Sequence, residues 1–371
     1  MSEWQNVALK QLVKFGNGKS RPKEKGKIPV YGGNGILDFT DKYNYVGNTL
    51  IIGRVGAYCG ATYLEKSPVW VSDNALSAKA LGNNDSDYLY YLFKYLDLNQ
   101  YAQGSSHPLL TQTLLNAIEV ETTLDGIEQK AIASVLSSLD NKIDLLHRQN
   151  KTLESMAETL FRQWFVEEMQ DDYSDITIET VIETTSGGTP SRKLMEYYQN
   201  GNTFWVKSKE LNGLFINSTE EKITDEAIKN SSAKLLPKHS ILIAMYGATV
   251  GEYAVISKPM SCNQAICALK PNDNYPYTYI FMYVKTQKDE LINQAVGSAQ
   301  QNISQALIKK MKVSSNLGLI NKYHNTVLHM FEKIEENSKQ IQTLENLRDT
   351  LLPKLMSGEV RVNYTPEEIK Q

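Results

Sequence analysis

The chain is poor in the residues from which small catalytic centres are built. Its 371 residues include three cysteines, Cys59, Cys262 and Cys267, and five histidines, His107, His147, His239, His324 and His329. Three thiols make no disulfide framework, and the Cys262/Cys267 spacing is not that of a zinc-ligand pair, so all three are expected to be buried apolar side chains. The histidines form no metal spacing, and His147, His324 and His329 fall in helical patterns where they would be solvated or capping. Also missing are G-x-S-x-G, H-E-x-x-H, a G-x-G-x-x-G after a strand, and an acidic pair suited to two metals. No catalytic residue, metal or cofactor is expected. No apolar run approaches the ~18 residues of a membrane span, and the opening M-S-E-W-Q-N carries no basic-then-apolar signal. A cytoplasmic protein with no membrane partner is expected.

One phosphate-binding motif is half present. V13-K-F-G-N-G-K-S-R-P22 ends like a P-loop, but the first glycine of G-x-x-x-x-G-K-[ST] is Val13, and Pro22 and Gly26 stand where the phosphate-capping helix would begin. N272-D-N-Y-P-Y277 lacks the adjacent prolines of the N-P-P-Y loop of adenine methyltransferases. Neither stretch carries chemistry.

What is present is charge in patches and a repeat. The formal charge is -3, yet residues 10–27 gather Lys10, Lys14, Lys19, Arg21, Lys23, Lys25 and Lys27 against Glu24 alone. Such a patch suits phosphates, or is a solvated lysine-rich loop. Residues 104–120 lie over 297–313 without a gap at an offset of 193, matching Leu110 with Ile303, Gln112 with Gln305 and Leu115 with Ile308. Gly56 and Gly60 meet Gly247 and Gly251 at 191, while S72-D-N74 meets S261-C-N263, and Y88-L-Y90 meets Y277-T-Y279, both at 189. L9-x-x-L-V13 meets I178-x-x-V-I182 at 169. The second copy of the glycine turn reads Gly187-Gly188-Thr189-Pro190, with no Lys-Ser pair, so the shared requirement is a tight turn after a strand. About 22 extra residues fall within 190–245, where the copies differ.

Each copy ends in a long helix. Ile132, Val135, Leu139, Ile143, Leu146, Asn150, Leu153, Ala157, Leu160 and Trp164 alternate three and four apart, as do Val327, Met330, Ile334, Asn337, Ile341, Leu344, Arg348, Leu351 and Leu355. That is a coiled-coil seam. A two-fold through the centre of the first helix brings the seam asparagines Asn150 and Asn337 together in an antiparallel pair. Before each helix, short strands (T49-L-I-I52, I241-L-I-A-M245) alternate with turns and a tyrosine-rich helix whose tyrosines are expected in the core. The fold class is α+β, two pseudo-repeated domains separated by two long helices that form an antiparallel coiled coil.

This tandem plan resembles the specificity subunit of type I restriction-modification enzymes. The resemblance covers nearly the whole chain and rests on E158-T-L-F-R-Q-W-F-V166, L351-L-P-K-L-M-S-G-E-V-R-V362, S186-G-G-T-P-S191 and I28-P-V-Y-G-G-N-G35. It implies two target-recognition domains, each reading half of a bipartite double-stranded DNA site. It also implies helices that dock two modification (methyltransferase) subunits, with a restriction subunit joining through the assembled complex. The corresponding boundaries are 1–126 for the first recognition domain, 127–172 for the first helix and linker, 173–318 for the second domain, 319–358 for the second helix and 359–371 for a tail. DNA is expected to meet Lys19, Arg21, Lys23 and Arg54 in one domain and Arg192, Lys207, Lys209 and Tyr246 in the other. The competing reading is a coiled-coil adaptor whose α+β domains bind protein.

Overall fold

Short aliphatic and β-branched runs make the strands of both halves. The computed structural model describes residues 3–104, 107–167, 176–295 and 302–363. The repeat positions 297–301 and most of the tail therefore lie outside the described residues. The chain divides into two units, Met1–Ile143 with Leu344–Gln371, and Asp144–Thr343.

In the first unit the chain runs β1 (Trp4–Ala8), α1 (Leu9–Leu12), β2 (Val13–Asn17), β3 (Ile28–Gly32), β4 (Gly35–Thr40), β5 (Thr49–Gly53), β6 (Thr62–Glu65), β7 (Trp70–Val71) and β8 (Ala75–Ala80). It continues through α2 (Ser86–Tyr95), α3 (Gln112–Ala117) and β9 (Glu119–Thr123) into the long helix α4 (Gly126–Arg162). The main sheet has the order β2-β8-β5-β6, antiparallel throughout. A smaller sheet, β4-β3-β7, is antiparallel between β3 and β4 and parallel between β3 and β7, and β1 pairs with β9. Every residue of β5 is buried, which is why its sequence T-L-I-I-G reads as a continuous rather than an alternating apolar run. α2 starts where the Asp85 carboxylate accepts the Tyr88 amide at 2.9 Å, and it lays Tyr88, Leu89, Tyr91, Leu92 and Phe93 on the sheet. Truncating one of these, Leu92 to Ala, is worth about 2–5 kcal/mol.

The second unit repeats the plan with α5 (Ile178–Val181), β10 (Glu183–Ser186), β11 (Thr203–Val206), β12 (Phe215–Ile216), β13 (Lys222–Ile223), α6 (Asp225–Lys229), β14 (Ile241–Ala244), β15 (Tyr253–Ile256), β16 (Ser261–Cys262) and β17 (Ile266–Lys270). α7 (Tyr277–Asn293), α8 (Gln305–Lys309) and the long helix α9 (Leu317–Met356) follow. Its main sheet is β10-β17-β14-β15-β12 and its smaller sheet β13-β11-β16.

The backbone bonds fix the alignment of the copies. The pair Ala8–Glu119 recurs as Thr177–Lys312, at 169 and 193. Lys14–Lys79 recurs as Glu183–Lys270, at 169 and 191, and Leu50–Ala78 as Ile241–Leu269, at 191 on both sides. The bridge Val55–Leu109 recurs as Tyr246–Asn302, at 191 and 193. Two sequence matches are corrected by this register. The amide of Lys19 bonds the Val71 carbonyl as that of Gly188 bonds Cys262, and Arg54 bonds Asn74 as Met245 bonds Ala265, so the offset here is 191, not 189. Ser72 therefore corresponds to Asn263 and Tyr88 to Tyr279; the identical letters two residues away are coincidence, because equal turn lengths, not residue types, set the alignment. The extra residues resolve into two blocks. Val30 faces Trp70 as Trp205 faces Ser261, an offset of 175 (205 − 30), leaving six residues before β11 and sixteen after it. The second block holds β12, which extends the main sheet by pairing parallel to β15 and has no counterpart among the described residues of the first unit.

α4 and α9 run antiparallel in each unit. In the first unit Arg348 Nη1 binds Asp140 Oδ1 at 2.9 Å, the Tyr91 hydroxyl donates to the other oxygen of Asp140 at 2.8 Å, and Arg361 meets the buried Glu128 at 2.6 Å. The off-pattern Arg348 is thus a cross-link. In the second unit Asn337 Nδ2 donates to Asn150 Oδ1 at 2.8 Å, and the Tyr323 hydroxyl to the Ala157 carbonyl at 3.0 Å. Residues 163–167 continue α4 as a wider turn of π geometry, with Phe161 and Phe165 packed on Tyr279 and Tyr323. His324 is not simply solvated: it is half-buried, its Nδ1 2.9 Å from the Thr278 hydroxyl. All three cysteines are buried, and burial pushes the Cys262 and Cys267 thiols up to about 12. Among the described residues no helix is long and apolar enough to cross a membrane.

Candidate nucleic-acid interface

Four chain segments converge beyond the end of β2. The Gly18 amide reaches the Ala75 carbonyl (3.3 Å) and the Lys19 amide that of Val71 (3.0 Å), while the Arg54 amide takes Asn74 (3.0 Å) and the Leu110 amide takes Arg54 (2.9 Å). The second unit makes the same four bonds: Gly187 to Ile266 (3.1 Å), Gly188 to Cys262 (2.9 Å), Met245 to Ala265 (2.8 Å) and Ile303 to Met245 (2.7 Å). The glycine at the turn is forced by this approach. A Cβ on Gly18 would stand 1.7 Å from the Ser72 carbonyl oxygen, and one on Gly187 2.2 Å from that of Asn263. No helix follows Ser20, so Gly-Lys-Ser belongs to a packed turn and not to a phosphate cradle. Gly56 and Gly247, three residues past the ends of β5 and β14, take φ of +75° and +89° in open space, a left-handed conformation that glycine adopts without strain.

The expected contact residues of the first unit follow that turn. Lys19 and Lys23 are exposed, and among the described residues neither forms an ion pair. Arg21 is held: its guanidinium pairs with Asp38, which also takes Lys25 at 2.5 Å. Hydrogen bonds from Lys25, from the Phe39 amide and from Arg21 keep the Asp38 carboxyl well below the usual carboxylate range. Arg54 is half-buried at the strand end, its Nε enclosed and without an acceptor among the described residues.

In the second unit Arg192, Lys207 and Lys209 are drawn together by two carboxylates that the sequence reading missed. Arg192 pairs with Glu221 at 2.6 Å and lies over the rings of Tyr198 (4.3 Å) and Trp205 (5.1 Å). Lys207 spans Glu220 (2.7 Å) and Glu221 (2.9 Å), and Lys209 meets Glu220 at 2.8 Å. The Lys207 and Lys209 bonds hold Glu220 down to about 2, and the Arg192 bond is the largest cause of the lowering at Glu221. A third carboxylate, Glu210, accepts the backbone amides of Lys207 at 2.7 Å and of Glu220 at 2.8 Å, so three cations meet three carboxylates. Tyr246, two residues past the end of β14, makes no ion pair or hydrogen bond with this cluster among the described residues; it is 37 % exposed, on the bridge to Asn302. Glu220 and Glu221 lie 11 to 29 residues from their partners, so no local pattern announced them. Among the described residues no group of three His, Cys, Asp or Glu side chains is placed to hold a metal ion.

Comparison with known proteins gives this geometry a context. The model of the type I restriction modification DNA specificity domain matches the chain twice, at residues 1–155 and 170–346. The MjaIX specificity subunit of Methanocaldococcus jannaschii is 28 % identical over 344 residues, covering 85 % of this chain and 78 % of that protein. The EcoR124I/EcoR124II specificity subunit of Escherichia coli is 22 % identical over 289 residues, covering 70 % and 71 %. The crystal structure of the type I restriction-modification S subunit from M. genitalium superposes with a TM-score of 0.68 at 19 % identity, covering 98 % of this chain and 97 % of that one, which shows a shared fold. With two domain matches spanning most of its length, the chain belongs to the type I restriction-modification specificity subunit family.

Proposed function

We propose that the two units read the two halves of a bipartite double-stranded DNA site, each through its glycine turn and the strand ends bonded to it. The observation that carries this is a four-bond backbone frame repeated in both units while its side chains differ: Lys19 and Arg21 in one, Thr189 and Arg192 in the other, with β12 among the described residues of the second alone. Equal frames suit two equal duplex halves on antiparallel strands, and unequal surfaces suit two different sequences. In this reading α4 and α9 are the platform for two modification subunits, a restriction subunit joins through that assembly, and the complex works in the cytoplasm. The chain contributes recognition and no bond-making chemistry, needing no cofactor of its own. A gel shift with modification subunits present tests it. Salt-sensitive, sequence-selective retardation supports the reading, whereas assembly without any DNA retardation favours an adaptor.

A further inference from the structure

We infer that Gln112 and Gln305 are positioning residues for recognition: each ties the glycine turn of its own unit to the short helix behind it, fixing how that turn meets DNA. This rests on the DNA-reading proposal above.

In the first unit Gln112 Nε2 donates to Asn17 Oδ1 at 2.8 Å. Asn17 is the last residue of β2, directly before Gly18. In the second, the Ser186 hydroxyl donates to Gln305 Oε1 at 3.0 Å, and Gln305 Nε2 reaches the Thr184 hydroxyl at 3.4 Å. Ser186 is the last residue of β10, directly before Gly187. Asn17 to Ser186 is 169 and Gln112 to Gln305 is 193, the offsets of the backbone bonds on either side, so one contact is made twice. The turn's partner changes from an amide to a hydroxyl while the glutamine stays. The helices that carry the glutamines start alike: Thr111 Oγ1 accepts the Leu114 amide at 3.2 Å, and Ser304 Oγ the Leu307 amide at 3.1 Å.

Neither glutamine is needed to fill the core, since both are half-buried and Leu115 and Ile308 provide the apolar contact of their helices. One side of each turn is already fixed by the backbone bonds of Gly18 and Gly187. A glycine turn has no side chain of its own to limit rotation, so a bond from outside at the preceding residue sets its angle. Recognition requires contacting groups held within about 0.5 Å, which is the work of such supporting bonds.

The test uses the full chain assembled with its modification subunits, and duplexes carrying the cognate site or one base-pair substitution in either half. Loss of one supporting hydrogen bond predicts that Gln112→Ala lowers the cognate-to-substituted binding ratio about five- to tenfold in one half and leaves the other half unchanged. Gln305→Ala does the reverse. Ser186→Ala reproduces Gln305→Ala, the double variant loses no more than either single one, and Gln305→Glu, which keeps the acceptor for Ser186, retains the ratio. A glutamine that merely stabilises the fold would lower the melting temperature or weaken binding to every duplex alike with both ratios intact, and that result overturns the inference. If the parent discriminates and the variants discriminate equally well, the positioning role alone fails. If the parent shows no preference in either half, the DNA reading fails first.

Discussion

Asn150 and Asn337 offer a sharp energetic test of the helix pair. They are 1 % and 0 % exposed, between Leu146 and Leu153 on one helix and Ile334 and Ile341 on the other. Asn337 Nδ2 donates to Asn150 Oδ1 at 2.8 Å and to Gln149 Oε1 at 2.9 Å. Asn337→Leu strands the Asn150 amide in an apolar seam and Asn150→Leu leaves Asn337 Nδ2 with Gln149 alone, each at a cost of about 1.5 kcal/mol after allowing for the apolar side chain gained. Replacing both removes the polar pair together and leaves a continuous apolar seam, so the double variant should match or exceed the parent. The coupling energy is then about 3 kcal/mol, far above the few tenths seen for independent sites. Calorimetry on the full chain reads it: at ~2–4 °C per kcal/mol for a unit of this size, each single variant melts about 3–6 °C lower and the double does not. Additive losses, with the double variant about 3 kcal/mol below the parent, would refute the argument that the two amides are coupled through their shared hydrogen bond.

Other outcomes follow from the same geometry. Replacing Lys19, Arg21 and Lys23 together by Ala should weaken binding to all sequences and flatten the slope of log affinity against log salt by about two, because Arg21 is already engaged by Asp38; an unchanged slope would remove this face from the interface. Burial would raise Glu335, but hydrogen bonds from Lys339, His239 and Lys238 outweigh it and hold its carboxyl down to about 2 from 4.5. A depressed carboxylate stabilises the fold above its unfolded pKa, so the second unit should lose stability as pH falls from about 4.5 towards 2, and Glu335→Gln should flatten that titration; an equally steep loss in the variant would show that other carboxylates dominate. A four-residue, seam-preserving duplication near residues 146–152 lengthens α4 by about 6 Å. Mapping of the recognised site should then show one or two more unspecified base pairs between unchanged halves, and an unchanged spacing in a binding-competent complex would mean that the helix does not set the distance.

Much of the architecture was legible because it is written twice. The seam residues of both helices, the buried strands T-L-I-I and I-L-I-A, and the paired glycines at 56 and 247 all carry their meaning within a few positions of themselves. Tyr88, Tyr91, Tyr277, Tyr279 and Tyr283 are core residues, as helical spacing suggested, whereas Tyr90 is half-buried and Tyr95 exposed on the outer side of α2. What escaped the sequence is long-range. Glu221 reaches Arg192 across 29 positions, and Asp38 reaches Arg21 across 17, so the basic patches looked freer than they are. The two-residue slip at Ser72 and Tyr88 arose from matching letters where only backbone pairing fixes the register. The Gln112/Gln305 match was visible, but its purpose depends on Asn17 and Ser186, which meet it only in the folded chain.

The central claim is that two similar units read two different halves of one site. It is tested most directly by mapping methylated bases in host DNA with this chain and its modification subunits present, and again with the chain deleted. The account predicts a chain-dependent motif of two specified segments separated by unspecified base pairs, with one segment changing when residues 190–245 are replaced. A single uninterrupted motif, or a methylation pattern indifferent to the chain, would contradict it.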